Sequence, residues 1–586
     1  MCGIFGYVGD RKNAPNLVFE GLRKLEYRGY DSWGIAAKDK DVIKVDKHVG
    51  KIGDASVQLP ESTLAFGHTR WATHGGVTQI NAHPHLDCTR TIALIHNGII
   101  ENYESIKKSL AKKGHNFVSQ TDTEVAVHLI EEYAKKFPFR EAVRRAFLKL
   151  EGLNAIIALS SNEDKLIAAK SGSPLIAGFG KGENFLASDA PAILSHTKMV
   201  HFIEDNELVE VSKDKIRIFD AKTDRETKPK IQRLTWTAKI AEKGRYPYFM
   251  LKEIYEQPKI VSDIATRTEE AKKIARTIER SYGTYMVGCG TAAYACVAAS
   301  YLFSKITRRH VNWAIGSEFG YQQDFLTPKS LVMALSQSGE TIDTLEAVRK
   351  AKEKGAKILA VVNVLGSTLY READYKLLIG AGPEIGVAST KAFIGMLAHL
   401  TLLAYALTGK TEDGVKTLTM AVKSTKSVLA DTNVKRLMNL AKKLKAKNHI
   451  YVVGRGLSYP ASLETALKIK EISYIHAEGL AAGELKHGVI ALVERGTPCI
   501  VFAPNDETYG ANLAGAMEMK TRGGFIIGIS HKPHEVFDYY IPVSDAAEAT
   551  IIPNVVVGQV LAYYLARERG LDPDKPRNLA KSVTVR

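Results

Sequence analysis

Tyr285-Met-Val-Gly-Cys-Gly290 and Ile450-Tyr-Val-Val-Gly-Arg-Gly456 are two short apolar runs, each closing on Gly-x-Gly and each followed by a helical pattern. A run of this kind reads as a buried parallel strand turning into a helix. Two copies predict a duplicated, doubly wound α/β domain. Neither copy continues into a full dinucleotide fingerprint, so a nicotinamide cofactor is not expected.

The chain has 586 residues, which suggests roughly three or four domains. Upstream of the duplicated region, residues 1–220 read as one α+β domain. Short strands are predicted over Ile4 to Val8, Gly34 to Ala37 and Thr91 to His96, with helices near Asn16 to Leu25 and Thr123 to Lys136. Residues 221–246 are polar and read as a linker. The duplicated region divides into 247–428 and 429–571, and 572–586 forms a polar tail containing Pro573 and Pro576.

The five cysteines are scattered without a disulfide pattern, and the start lacks a basic and apolar leader, so a cytoplasmic location is expected. The apolar run Phe393 to Thr408 is short for a membrane span and reads as a buried helix. Net charge is +16, but the lysines are dispersed on helical patterns and no nucleic-acid motif accompanies them. Solvated helix faces explain them, and anionic small substrates would fit.

Cys2 follows the initiator methionine and precedes glycine. Were Met1 removed, Cys2 would carry a thiol and an α-amine of pKa near ~8, a nucleophile and a base in one residue. If Met1 stays attached, that base is missing. Partners for Cys2 stand in Gly67-His-Thr-Arg70-Trp71-Ala-Thr73-His74-Gly75, Asn81-Ala-His83-Pro-His85, His96-Asn97-Gly98 and Thr121-Asp122-Thr-Glu124. A thiolate attacking an amide needs oxyanion donors, and an amino-acid substrate needs a cation for its carboxylate. The simpler account of Arg70 and Asp122 is an ion pair. A metal site from His83, His85, Cys88 and His68 or His74 is the weaker reading, since no second cluster has zinc spacing.

These motifs together resemble the glutaminase domain of the class II glutamine amidotransferases, a four-layer αββα N-terminal-nucleophile fold. The resemblance implies Cys2 as nucleophile and Asn97 with Gly98 as oxyanion hole. It also implies that Arg70, His83 and Asp122 hold glutamine, that Thr73 lines the pocket, that Arg28 supports the N-terminus and that Trp71 gates an ammonia path.

In the duplicated region, Leu335-Ser336-Gln337-Ser338-Gly339-Glu340-Thr341 follows an apolar strand and precedes a helix over Ile342 to Lys354. Hydroxyls and N–H groups at a helix start suit a phosphate, although a plain helix cap has the same look. Lys468 and Glu471 share a helix face, as an ion pair or as a base beside a sugar. Gly483-Glu-Leu-Lys-His487-Gly488 and Pro576-Arg-Asn-Leu-Ala580-Lys581-Ser582 add further reactive types.

With Tyr255-Glu-Gln-Pro258 and Glu384-Ile-Gly-Val387-Ala-Ser389-Thr-Lys391, the whole chain resembles the family of isomerising glutamine–fructose-6-phosphate aminotransferases, whose second half is two sugar-isomerase (SIS) domains. The resemblance implies that Thr291, Ser336, Gln337, Ser338 and Thr341 bind the sugar phosphate. Val387, Ser389 and Ala580 would line the sugar pocket, with Lys468 a further polar group there. Lys581 would form a Schiff base, Glu471 would move a proton between C1 and C2, and His487 would assist ring opening from a neighbouring subunit. A homodimer is thereby implied, and no metal, flavin or nucleotide. Ala292 stands where the family often has serine. The alternatives are an SIS-type sugar-phosphate regulator, which would carry a helix-turn-helix domain, and an amino-sugar deaminase paralogue, which would not need the glutaminase half.

Overall fold

The computed structural model describes residues 2–53, 55–234 and 242–584. Chain contacts divide it into two units, Met1–Ala241 with Ala580–Arg586, and Glu242–Leu579.

The first unit is built on two antiparallel sheets. One has eight strands, in which Gly3–Gly9 lies between Glu183–Ala187 and Leu64–Arg70, and Leu64–Arg70 pairs in turn with Ser32–Asp39. The other has seven strands, with Ile92–Gly98 beside Asn154–Ser160. Alternation puts Ile4 and Phe66 of one sheet and Ile95 and Ile157 of the other into one core between the sheets. The opposite face of the first sheet takes Val18 and Leu22 from the helix Ala14–Leu25. The opposite face of the second takes Val127 and Val143 from the helices Glu124–Ala134 and Phe139–Phe147. The layering is helix, sheet, sheet, helix, as the resemblance implied.

The expected linker over 221–246 is not uniform. Glu226–Thr227 extends the seven-stranded sheet and Gln232–Arg233 extends the eight-stranded one. Both are two-residue edge strands with exposed polar side chains, so neither leaves a periodic signal. Residues 235–241 of the expected linker lie outside the described residues, as does Met1.

The second unit contains two five-stranded sheets whose strands are all parallel. The first runs Asn312–Ile315, Thr284–Gly288, Leu331–Ser336, Lys357–Val362, Tyr375–Leu378. The second runs His476–Ala481, His449–Gly454, Pro498–Ala503, Phe525–Ser530, Tyr539–Pro542. Each has the spatial order 2-1-3-4-5 counted along its own half, the doubly wound pattern that leaves a crevice at the C-terminal strand ends. One continuous core joins the halves, with Met286, Phe393, Leu397, Val452, Val556 and Leu561 among its members. The helix Lys391–Leu407 is buried within it. The span Ala547–Glu568, not singled out in the sequence, is long and apolar enough to cross a membrane but is 94% buried in the interior.

The expected tail 572–586 is divided. Asp574 accepts hydrogen bonds from the N–H groups of Phe249 and Met250, both at 2.8 Å, capping the helix Phe249–Ala265. Residues up to Leu579 therefore stay with the second unit, while Ala580–Arg586 groups with the first.

Candidate functional sites

In the first unit Cys2 sits immediately before the strand Gly3–Gly9. Its carbonyl accepts hydrogen bonds from Asn97 Nδ2 at 3.0 Å and Arg28 Nε at 3.2 Å, and Arg28 is anchored on Asp189 at 3.1 Å. The Trp71 N–H donates to Cys2 Sγ at 3.2 Å, and the thiol faces the Trp71 carbonyl at 3.6 Å. Burial pushes the Cys2 thiol pKa up, against the pull of the Trp71 N–H and the charges of Arg70 and Arg28.

Asn97 is oriented from behind. Its Oδ1 accepts from His68 Nε2 at 3.1 Å, which turns the amide NH₂ toward Cys2. His68 shares the same N–H with the His96 carbonyl at 2.9 Å. Burial holds the His68 pKa down at about 3, so the ring is neutral and keeps this tautomer. His83 stacks on His68 with centroids 4.1 Å apart, and His85 packs edge-on to His83 at 4.8 Å. Gly98 has φ +129°, and a Cβ there would lie 2.0 Å from the Leu153 carbonyl, so only glycine fits beside Asn97.

Arg70 ends the neighbouring strand. Its guanidinium donates to the carbonyls of His74, Gly75 and Gly76, the last two at 3.2 Å, and feels the charges of Cys2, Asp31 and Asp122. Asp122 accepts the Ile100 N–H at 2.7 Å. Cys2, Arg28, Arg70, Trp71 and Asn97 are thus brought together. Thr73 is exposed on the loop whose carbonyls hold Arg70.

In the second unit Ser336 ends a strand, and the loop after it delivers Thr341 to the N-cap of the helix Ile342–Glu353. Ser336 Oγ accepts the Gly339 N–H at 3.0 Å and lies 3.2 Å from Thr341 Oγ1, while Ser338 Oγ accepts the Glu340 N–H at 3.2 Å. Gln337 and Ser338 are half-buried at this helix start. Gly290, at φ +54°, turns the chain into the helix Thr291–Thr307, so Thr291 stands at a second helix N-terminus.

Thr291 joins a charged cluster on the helix Ser458–Ser473 of the other half. Lys468 Nζ donates to Thr291 Oγ1 at 3.1 Å and Glu471 Oε2 at 2.5 Å, and lies 3.4 Å from Glu464 Oε1. Thr291 in turn donates to Glu464 at 3.3 Å. Burial opposes the charge on Lys468, but the carboxylates of Glu464 and Glu471 outweigh it and leave its pKa raised. Burial pushes Glu464 up to about 8. Glu464 was not singled out from sequence; its only signal is a position four residues before Lys468, the spacing of an ordinary surface pair.

Val387 and Ser389 lie on the loop leading into the helix Lys391–Leu407. Val387 N–H reaches the Asp574 carbonyl at 3.0 Å, and Ser389 donates to Glu384 at 3.0 Å. Ala292 is buried. His487 is exposed at the end of the short turn Glu484–His487. Ala580 and Lys581 are half-buried in the segment grouped with the first unit.

Comparison with known proteins bears on both units. A model of the glutamine amidotransferase domain matches residues 47–236, and a model of the SIS domain matches 279–406 and 443–538. The chain is 44% identical to a glutamine–fructose-6-phosphate aminotransferase (isomerizing) of Pyrococcus horikoshii and 43% identical to that of Clostridium tetani, in each case over all of both chains. Among solved structures, the C-terminal domain of glucosamine-fructose-6-phosphate aminotransferase from Francisella tularensis superposes with TM-score 0.52 at 31% identity, covering 57% of this chain and 99% of that one. A tagatose-6-phosphate ketose/aldose isomerase from Escherichia coli shares the fold at TM-score 0.50 and 17% identity, covering 57% of this chain and 96% of that one.

Proposed function

The chain belongs to the family of isomerizing glutamine–fructose-6-phosphate aminotransferases, and from that premise we propose how its residues divide the reaction. The enzyme takes glutamine and fructose 6-phosphate to glutamate and glucosamine 6-phosphate. The glutaminase half supplies ammonia and the SIS half isomerises the sugar.

Cys2 is the nucleophile. Once Met1 is removed, the Cys2 thiolate attacks the side-chain amide of glutamine, the freed Cys2 amine takes and returns the proton, ammonia leaves, and water cleaves the glutamyl thioester. The observation that carries this reading is the hold on Cys2: the thiol against the Trp71 N–H and an Asn97 amide aimed by a neutral His68. Asn97 and Gly98 stabilise the oxyanion. Arg70 and Asp122 take the α-carboxylate and α-ammonium of glutamine, with His83 and Thr73 beside them, Arg28 bracing the N-terminus and Trp71 gating the ammonia path. In this role Arg70 exchanges loop carbonyls for a carboxylate, a better partner for its fork.

The hydroxyls of Thr291, Ser336, Ser338 and Thr341, with Gln337, bind the phosphate at two helix starts. Val387, Ser389 and Ala580 line the sugar pocket. Lys581 condenses with the C2 ketone and releases water, and ammonia then displaces the lysine at C2. Glu471 removes a proton from C1, and reprotonation at C2 leaves the C1 aldehyde of glucosamine 6-phosphate. Lys468 holds the Glu471 carboxylate in place. The exposed His487 serves ring opening in a second copy, which makes a cytoplasmic homodimer the working unit. Ammonia passes internally from one reaction to the other.

Borohydride reduction in the presence of fructose 6-phosphate is expected to fix one sugar on the peptide containing Lys581. No adduct, or an adduct unchanged in Lys581→Ala, would remove the imine step.

A further inference from the structure

Cys88 lies outside both sites. It follows the strand His85–Leu86, and its neighbours come from distant parts of the first unit: His115 from the turn after the helix Tyr103–Ala111, and His128 with Glu131 from the helix Glu124–Ala134. One donor atom from each of the four lies within 4.8 Å of all the others. Cys88 Sγ is 3.8 Å from His115 Nδ1 and 3.5 Å from His128 Nδ1. Glu131 Oε2 is 3.0 Å from both of those ring nitrogens. A tetrahedron with Zn–S of about 2.3 Å and Zn–N and Zn–O of about 2.0 Å has S–N edges of about 3.5 Å and N–O edges of about 3.3 Å. The four S–N and N–O edges already stand near those spacings, and the remaining two lie within 4.8 Å.

The far side of each ring is also specified. His115 Nε2 meets Glu132 Oε2 at 3.2 Å, and His128 Nε2 faces Glu124 Oε1 at 3.6 Å. A carboxylate behind a ligating histidine fixes the tautomer that points the other nitrogen at a metal. Each imidazole thus has a carboxylate at both nitrogens. The two ring centroids are 5.4 Å apart. One divalent cation between them would meet the Glu131 carboxylate and the Cys88 thiolate as counter-charges. The two histidines are buried while Cys88 is exposed beside a cavity of about 500 Å³, which gives an ion a way in.

We propose that Cys88, His115, His128 and Glu131 form a structural zinc site in the glutaminase unit. One thiolate, two imidazoles and one carboxylate make a donor set suited to zinc, and four protein ligands leave no position open for catalysis. The proposed ligands differ from the cluster the sequence left unfavoured: Cys88 goes not with His83 and His85 but with residues 27, 40 and 43 positions further on, too far apart for a spacing rule to find. It would pin the loop after His85–Leu86 to the helix that starts next to Asp122 and Thr123, where Thr123 bonds His96 at 2.8 Å.

The test is metal content and spectrum of the full chain. Chelated protein, given zinc and passed through a desalting column, is expected to keep about one zinc per chain, and given cobalt to show a thiolate-to-cobalt charge-transfer band. Cys88→Ser should abolish the band and weaken zinc binding at least ~100-fold, His115→Gln should do likewise, and Glu132→Gln should weaken binding about tenfold. Zinc uptake by the wild type no greater than by the Cys88→Ser, His115→Gln double variant would overturn the proposal and leave a hydrogen-bonded cluster only. A cobalt band that persists in Cys88→Ser would overturn it equally, by placing the thiolate elsewhere.

Discussion

The two reaction centres keep their buried polar groups by opposite means. Around Cys2 the buried histidines are neutral: burial holds His68 at about 3, and His83, His85 and His96 also lie below their usual value. Around Thr291 the interior is charged: Lys468 is clamped between Glu464 and Glu471. The difference fits the roles proposed for the two sites. A neutral histidine network fixes the Asn97 amide in one orientation, its NH₂ turned toward Cys2. A sugar isomerisation needs a carboxylate held at one place, and in a dry interior that requires a counter-charge.

The comparison breaks most visibly if the carboxylate is not the one that works. Glu471→Gln keeps the shape of the cluster and is expected to lower ammonia-dependent glucosamine 6-phosphate formation ~10³-fold. Glutamine hydrolysis should not change, and an equal fall in both assays would contradict the division of labour.

Lys468→Met removes the only cation in hydrogen-bond reach of Glu471 and Glu464 among the interactions described for that cluster. The buried Glu464 and the half-buried Glu471 then lose their shared partner, and a destabilisation of about 3 kcal/mol is expected for the second unit. Hydrogen exchange of the strand His449–Gly454 would read it, while the strand Leu64–Arg70 in the first unit should exchange as before.

Acid sharpens the contrast more gently. His68 has a folded-state pKa depressed from 6.5 to about 3, so its contribution to stability is present above about pH 6.5 and is lost as pH falls toward 3. Each such histidine costs up to about 1.4 kcal/mol per pH unit through that window. Exchange of the strand Leu64–Arg70 should therefore accelerate between pH 6.5 and 5 more than exchange of His449–Gly454. Equal acceleration would mean that the histidine network does not dominate.

The parts of this account that sequence made readable are those with a local signature. The runs Tyr285–Gly290 and Ile450–Gly456 do begin matching parallel sheets, and the expected strand Ile4 to Val8 is Gly3–Gly9. Asn97 and Arg70 stood in motifs that resemble a glutaminase domain, and the family model matches that stretch. What stayed hidden had no local form. Glu226–Thr227 and Gln232–Arg233 are too short and too exposed for alternation to register. Glu464 looked like any helix glutamate because its burial is decided by packing against the other half. Cys88, His115, His128 and Glu131 meet only through the fold. The division of the tail at Ala580 depends on Asp574 capping a helix more than three hundred residues away in the chain, which no window of sequence contains.

The most direct test is product formation by Cys2→Ala with two nitrogen sources. With glutamine, glucosamine 6-phosphate should fall at least ~10³-fold; with ammonia it should form at the wild-type rate. Survival of the glutamine route, or loss of both routes in folded protein, would contradict a thiol that serves one half of the reaction and not the other.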